Sequence, residues 1–140
     1  MIIGYTSGVF DLFHIGHLNL LRNAKAMCDR LLVGVTTDEL VAYKFKRAVI
    51  PFAERIEIVR GLRYVDAAIP QETMDKLEIW NKLRFNIMFV GDDWFETDRY
   101  QQLEEQFTEV GVRIVYFPRT RGTSSTLIAE TLKMLRSRDE

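Results

Sequence analysis

Two histidines three residues apart, His14 and His17, bracket a glycine in the stretch GVFDLFHIGH, with Asp11 close by. Imidazoles in such a cluster can ligate a metal, donate hydrogen bonds to an anion, or satisfy a turn. A zinc site needs at least a third ligand, and the chain has no other histidine and a single cysteine, Cys28. Asp11 stands at a spacing that suits no common zinc pattern. A helix opening near Gly16 favours the second chemistry: its free N–H groups and positive dipole end attract an anion, and the glycine lets backbone approach closely. Two imidazoles at that point can donate to phosphate oxygens and to charge developing in a transition state. A structural turn remains the alternative for the pair taken alone.

Other stretches carry similar potential. YKFKR places Lys44 and Lys46 two apart, where they are either phosphate ligands or a solvated loop. RYVD presents Arg63, a ligand contact or a cap for the preceding helix's negative end. GDDW brings Asp92, Asp93 and Trp94 after a strand, as turn residues or as ribose and base contacts. RTRGTSST offers Arg119 and a run of hydroxyls at a helix start. Cys28 has no activating neighbour and reads as a small buried hydrophobe.

The elements that must position these groups alternate between β-rich runs and amphipathic stretches. Strands are expected at Ile2–Thr6, over LLVGVTT, VDAAIP and NIMFVG, and over VRIVYF. Helices are expected over Gly16–Cys28, from Pro51 as first helical residue to about Gly61, over Thr73–Leu83 and Arg99–Val110, and from a Ser124 cap to Leu135. The basic segment AYKFKRAVI shows no clear period. A β-α-β-α order predicts an α/β, Rossmann-like open parallel five-stranded sheet with helices on both faces. Ligands of such sheets bind outside the carboxyl ends of the strands, which is where the first, fourth and fifth polar motifs fall.

The bulk numbers restrict the function classes. A length of 140 residues predicts one domain over 1–140 with a real core. Nineteen basic and twenty acidic residues leave no broad footprint for nucleic acid, so any basic site is local. One cysteine excludes an internal disulfide and suits a reducing compartment. The start MIIGYTSG has no signal-peptide pattern and no run is long enough to span a bilayer, so a cytoplasmic protein with no membrane partner is expected.

Taken jointly and in this order, GVFDLFHIGH, RYVD, GDDW and RTRGTSST resemble the cytidylyltransferases of the HxGH nucleotidylyltransferase superfamily, the glycerol-3-phosphate type in particular. The similarity covers nearly the whole chain. HxGH alone is superfamily-level and is shared with class I aminoacyl-tRNA synthetases, which need far more chain; the joint set is specific to the cytidylyltransferase branch. The resemblance implies that CTP and a phosphorylated alcohol react to a CDP-alcohol and pyrophosphate, with Mg²⁺ on the triphosphate and a homodimer as the assembly. It implies that Val9 and Phe10 lie along the nucleotide and that His14 and His17 hold its phosphates. Asp11 shapes the loop and assists Mg²⁺ placement in that scheme. Lys44 faces the acceptor phosphate and Lys46 the triphosphate; Arg63 contacts the nucleotide; Asp93 and Trp94 lie beside ribose and base. Arg119, Thr120, Gly122, Thr123, Ser124 and Ser125 bind the nucleotide's phosphates and ribose, with Arg119 also on the acceptor side.

Two departures weaken the acceptor assignment. The family's acceptor lysine has no counterpart in register, Lys76 being the nearest, and the segment around ETDRYQQLEEQ is longer here. Rival readings are an adenylyltransferase, a phosphoethanolamine, phosphocholine or other polyol phosphate acceptor, phosphocholine calling for a cage of Tyr43, Phe45 and Trp94, and a nucleotide-binding regulator without turnover. A CDP-glycerol product would imply teichoic-acid precursor synthesis by analogy alone.

Overall fold

A computed structural model describes residues 1–43, 47–91, 95–118 and 125–139, with the side chains of 125–127 and 136–139 left aside. Eleven elements follow in order: β1 (Ile3–Gly8), α1 (Ile15–Ala26), β2 (Arg30–Thr36), α2 (Asp38–Tyr43), α3 (Phe52–Arg60), β3 (Ala67–Gln71), α4 (Lys76–Leu83), β4 (Ile87–Gly91), α5 (Asp98–Glu109), β5 (Arg113–Phe117) and α6 (Ser125–Asp139). The strands form one sheet in the order β3-β2-β1-β4-β5, and every pairing is parallel. The chain builds outward from β1 to β3, then returns to the other side of β1 to add β4 and β5. The reversal lies between β1 and β4, and an open α/β sheet has its ligand crevice at such a switch point.

Alternation along the strands divides the interior in two. Leu31, Val33, Val35, Ile87 and Phe89 pack with Leu21 and Ala24 of α1 and Ile56 and Val59 of α3. Tyr5 and Met88 face the opposite way, toward Ile79 of α4 and Tyr100 and Phe107 of α5. Helices therefore cover both faces of the five-stranded sheet, as the β-α order predicts.

Local chemistry sets the helix limits. Asp75 accepts from the backbone N–H groups of Leu77 and Glu78, so α4 starts at Lys76 and not at Thr73. Thr97 caps α5 in the same way through the N–H of Tyr100. Pro51 stands at the N-cap of α3, one position before the expected first turn, with the extended ψ of 152°. The segment after β2, expected to be irregular, begins with the short helix α2. Six residues with only Val41 buried are too few to display a helical period. Among the described residues no helix is long and apolar enough to cross a membrane.

Gly34, midway along β2, pairs with Ser7 of β1. A Cβ there would stand 2.3 Å from the Tyr5 hydroxyl and 3.1 Å from Gln71 Oε1. The absent side chain makes room for the buried hydrogen bond between Tyr5 and Gln71, 2.8 Å long. Gly34→Ala is expected to lower folding stability by about 1–3 kcal/mol, the cost of overpacking a filled interior, measured by denaturant titration. A variant as stable as the parent would contradict this packing.

Candidate active site

The loop from the end of β1 to α1 holds two non-glycine residues in the left-handed region, Phe10 at φ 53° and Leu12 at φ 48°. Each such residue costs on the order of 1 kcal/mol or more and persists only where the surroundings fix it. Phe10 is buried and packs on the rings of Phe13 and His17. Asp11 accepts from the N–H of Val49 at 2.8 Å and of Ile50 at 2.9 Å, clamping the loop to the segment before α3. A third restraint is Arg55. Its guanidinium is fully buried and donates to the carbonyls of Val9 (2.7 Å), Thr36 (2.8 Å) and Ile50 (2.9 Å) and to Asp38 Oδ1 (2.7 Å).

His14 is the N-cap of α1 and the two histidines cap the helix reciprocally. His14 Nδ1 accepts from the Gly16 N–H at 3.0 Å, and His17 Nδ1 accepts from the His14 N–H at 3.2 Å. Both Nδ1 atoms are thus acceptors, so each neutral ring carries its proton on Nε2. The rings stack with centroids 3.9 Å apart. Burial lowers the pKa of His14, and burial followed by the neighbouring His14 lowers that of His17 to about 4. The pair is therefore neutral at physiological pH and offers two Nε2–H donors. The Gly16 N–H, expected to be free for an anion, is taken by His14.

The structure brings Val9, Phe10, Asp11, His14 and His17 together at the carboxyl end of β1. Lys76 joins this end of the sheet. It is buried, and its Nζ donates to Ser7 Oγ at 2.8 Å.

Arg63 does not join them. It lies between α3 and β3, exposed, stacked on Tyr64 and donating to its hydroxyl at 2.8 Å. Asp66, three residues on, bonds Lys25 in the last turn of α1 and the N–H of Leu31 at the start of β2. Through Asp66, which bonds Lys25, and Tyr64, which bonds Arg22, the turn that carries Arg63 is tied to the second half of α1, whereas His14 caps its start. Asp11 is a loop anchor, and among the described residues no group of three His, Cys, Asp or Glu side chains is placed to hold a metal ion. The assignments to Lys44, Lys46, Phe45, Asp92, Asp93, Trp94, Arg119, Thr120, Gly122, Thr123 and Ser124 fall outside the described residues. Ser125 opens α6.

Sequence reasoning missed Arg55 and Asp38. The signal was present: Arg55 shares the stripe of Phe52, Ile56 and Val59, where a charge on an apolar face needs buried partners. Asp38 is held below the usual carboxylate range by the Phe52 N–H and then by Arg55.

A family model described as cytidylyltransferase-like matches residues 5–131. The chain is 36% identical to the glycerol-3-phosphate cytidylyltransferase of Bacillus subtilis over 91% of its own length and 94% of that protein. The chain belongs to the cytidylyltransferase-like family. It is a nucleotidyltransferase of the cytidylyltransferase type. An ethanolamine-phosphate cytidylyltransferase of Arabidopsis thaliana is 32% identical over 96% of this chain and 33% of that protein. The crystal structure of a lipopolysaccharide core biosynthesis protein from Thermoplasma volcanium superposes with a TM-score of 0.72 at 24% identity, covering 88% of this chain and 99% of that one, and shares the fold. In this cytidylyltransferase-like chain the strained loop and the two Nε2–H donors occupy the switch point of that fold.

Two outcomes are expected. An Arg55→Ala chain leaves three carbonyls without their donor and a half-exposed Asp38 without its ion pair, which should cost about 2–5 kcal/mol, the range for truncating a large buried side chain, read from denaturant unfolding. The unfolded chain takes a proton on His17 near 6.5, whereas the folded one resists until about 4. The unfolded state therefore binds more protons between these values, and stability should fall as pH drops through that window. Nitrogen NMR at pH 5.5 should still show an unprotonated His17 Nδ1; titration near 6.5 would contradict the geometry.

Proposed function

We propose that the chain transfers a cytidylyl group from CTP to a phosphorylated polyol, glycerol 3-phosphate being the first candidate, and releases pyrophosphate. The observation that carries this reading is the pair of neutral histidines whose Nε2–H groups are both fixed as donors by their own backbone. An acceptor phosphate oxygen attacks the α-phosphorus of CTP; the new P–O bond forms as the bond to the β-phosphate's bridging oxygen breaks. Pyrophosphate leaves with that electron pair. The acceptor already carries its attacking charge at neutral pH, so no general base is required. The protein's work is positioning two repelling anions and stabilising charge that builds on the leaving oxygen. Donors that are neutral before the substrate arrives lose no preformed ion pair, and the stacked rings hold their spacing throughout.

Lys76 is the described cation best placed for the acceptor phosphate. Lys44, Lys46 and Arg119 belong to the same reading through the family resemblance alone. Magnesium is part of the proposal too. Asp11 directs both oxygens to backbone N–H groups, so the donor set fits an ion carried chiefly by triphosphate oxygens, not a protein cage. Bound there, it supplies charge neutralisation on the phosphates. The expected homodimer, with exposed Arg63 and half-buried Tyr64 near its interface, remains part of this reading as well.

A phosphoethanolamine acceptor is the second reading. A surface cleft lined by Glu39, Leu40, Tyr43 and Glu72 beside the ends of β2 and β3 presents two carboxylates and a ring to an ammonium group, and the Arabidopsis relative is named for that acceptor.

Pyrophosphate release with CTP, ATP, UTP and GTP, each against phosphorylated alcohols, tests the reaction. CTP should support turnover, and His14→Ala and His17→Ala should each lower it by about two to four orders of magnitude. Near-parental rates in both folded variants would sink the assignment.

A further inference from the structure

Four side chains form a polar line through the face of the sheet that carries α4 and α5. Lys76 Nζ donates to Ser7 Oγ at 2.8 Å. The Ser7 hydroxyl in turn bonds the Tyr5 hydroxyl, and Tyr5 donates to Gln71 Oε1 at 2.8 Å. Tyr5, Gln71 and Lys76 are all buried, at 1%, 4% and 8% exposure. A line of this kind costs desolvation unless every member is matched, and the chain spends a side chain on it, since Gly34 is empty where a Cβ would strike Tyr5. What the line achieves is to bring an ammonium to the carboxyl end of β1, at the switch point.

The stem of the same lysine walls a cleft of about 220 Å³ between the start of α4 and the outer side of α5. Arg99, Gln102 and Gln106 line it, above Met74 and Leu103. All but Met74 belong to the α5 side, and the three polar ones fall within ETDRYQQLEEQ, the stretch in which this chain is longer than the family pattern. Two primary amides and a guanidinium offer donors and acceptors suited to hydroxyl groups. The wall also includes Asp75, whose Oδ1 is engaged by the N–H groups of Leu77 and Glu78.

We propose that this cleft seats the acceptor, with its phosphate at Lys76 and a hydroxylated chain longer than glycerol lying along Arg99, Gln102 and Gln106. The acceptor class is a linear polyol phosphate of about four or five carbons: Arg99 to Gln106 spans about 10 Å of α5 at 1.5 Å per residue, a length over which a glyceryl group reaches only in part. This inference rests on the cytidylyl-transfer reading and narrows its acceptor. Ser7, backed by Tyr5 and Gln71, is a positioning residue for Lys76.

The test compares glycerol 3-phosphate, erythritol 4-phosphate, ribitol 5-phosphate and phosphoethanolamine in CTP-dependent pyrophosphate release, in the parent and in a Gln102→Leu, Gln106→Leu double variant. The longer polyol phosphates should exceed glycerol 3-phosphate in kcat/KM by about three- to tenfold, the net worth of one hydrogen bond to exposed side chains such as Gln102 and Gln106. The double variant should lose that advantage with the KM for CTP unchanged. A best rate with glycerol 3-phosphate or phosphoethanolamine, or a preference that survives in the variant, overturns the proposal. The side-chain amide NMR signals of Gln102 and Gln106 are read on titrating ribitol 5-phosphate into the CTP-bound chain. If they move while no acceptor yields pyrophosphate, the transfer reading fails and the cleft stands; if they do not move, the cleft fails whatever the turnover. Ser7→Ala should raise the KM for the preferred acceptor about tenfold, the loss of one charge-assisted hydrogen bond, with Ser7→Thr restoring it; equal KM values would remove Ser7 from the positioning role.

Discussion

Four oxygens from four separate stretches of chain meet one buried guanidinium: the carbonyls of Val9, Thr36 and Ile50 and the carboxylate of Asp38 converge on Arg55. Val9 belongs to the loop after β1, Thr36 ends β2, Asp38 opens α2, and Ile50 precedes α3. Only a planar group with several N–H donors in fixed directions can join so many acceptors at once. Burying the charge is tolerable because those partners satisfy it. With the Asp11 clamp on Val49 and Ile50, it makes the carboxyl ends of β1 and β2 one rigid rim.

That rigidity accounts for the strained loop. Phe10 and Leu12 hold left-handed backbone angles that neither would choose freely, and the angles place His14 at the start of α1, where the two imidazoles cap the helix and each other. The capping is the electrostatic design of the site. By taking N–H protons at Nδ1, the rings turn their Nε2–H groups outward, and by stacking in a half-buried place they stay neutral. A phosphate chain thus meets oriented donors whose geometry is already set, the condition under which hydrogen bonds contribute most to a transition state.

On the opposite face of the same strand, Tyr5, Ser7 and Lys76 repeat the theme with different chemistry. The alternation of β1 sends Tyr5 and Ser7 toward α4 and α5, while Thr6 bonds the Phe89 carbonyl across to β4. One strand therefore carries the polar line to Lys76 on one face and leads directly into the histidine loop at its end. The switch point draws both together because β1 has neighbours on each side and its carboxyl end stands at the reversal of strand order.

The sequence by itself determined the strand and helix order, the parallel sheet, and the cluster at His14 and His17, because periodicity and short motifs are local properties. It also pointed to Lys76, through a mismatch in register that the tertiary structure turned into a buried lysine reaching Ser7. Helix limits shifted by up to four residues, the start of α4 by three because its Asp75 cap overrides the apolar pattern. Only the tertiary structure decided that Arg55 is the tie of the rim, that Asp11 anchors a loop, that the histidines are neutral donors, and that the turn holding Arg63 is tied to the second half of α1. The rim and the loop anchor depend on partners distant in the chain, as does the placing of Lys76: Val9 and Arg55 are 46 residues apart, Asp11 and Ile50 are 39 apart, and Ser7 and Lys76 are 69 apart. A residue's type sets which bonds it can make; the fold sets which partners come within reach, and with them its charge state and its role.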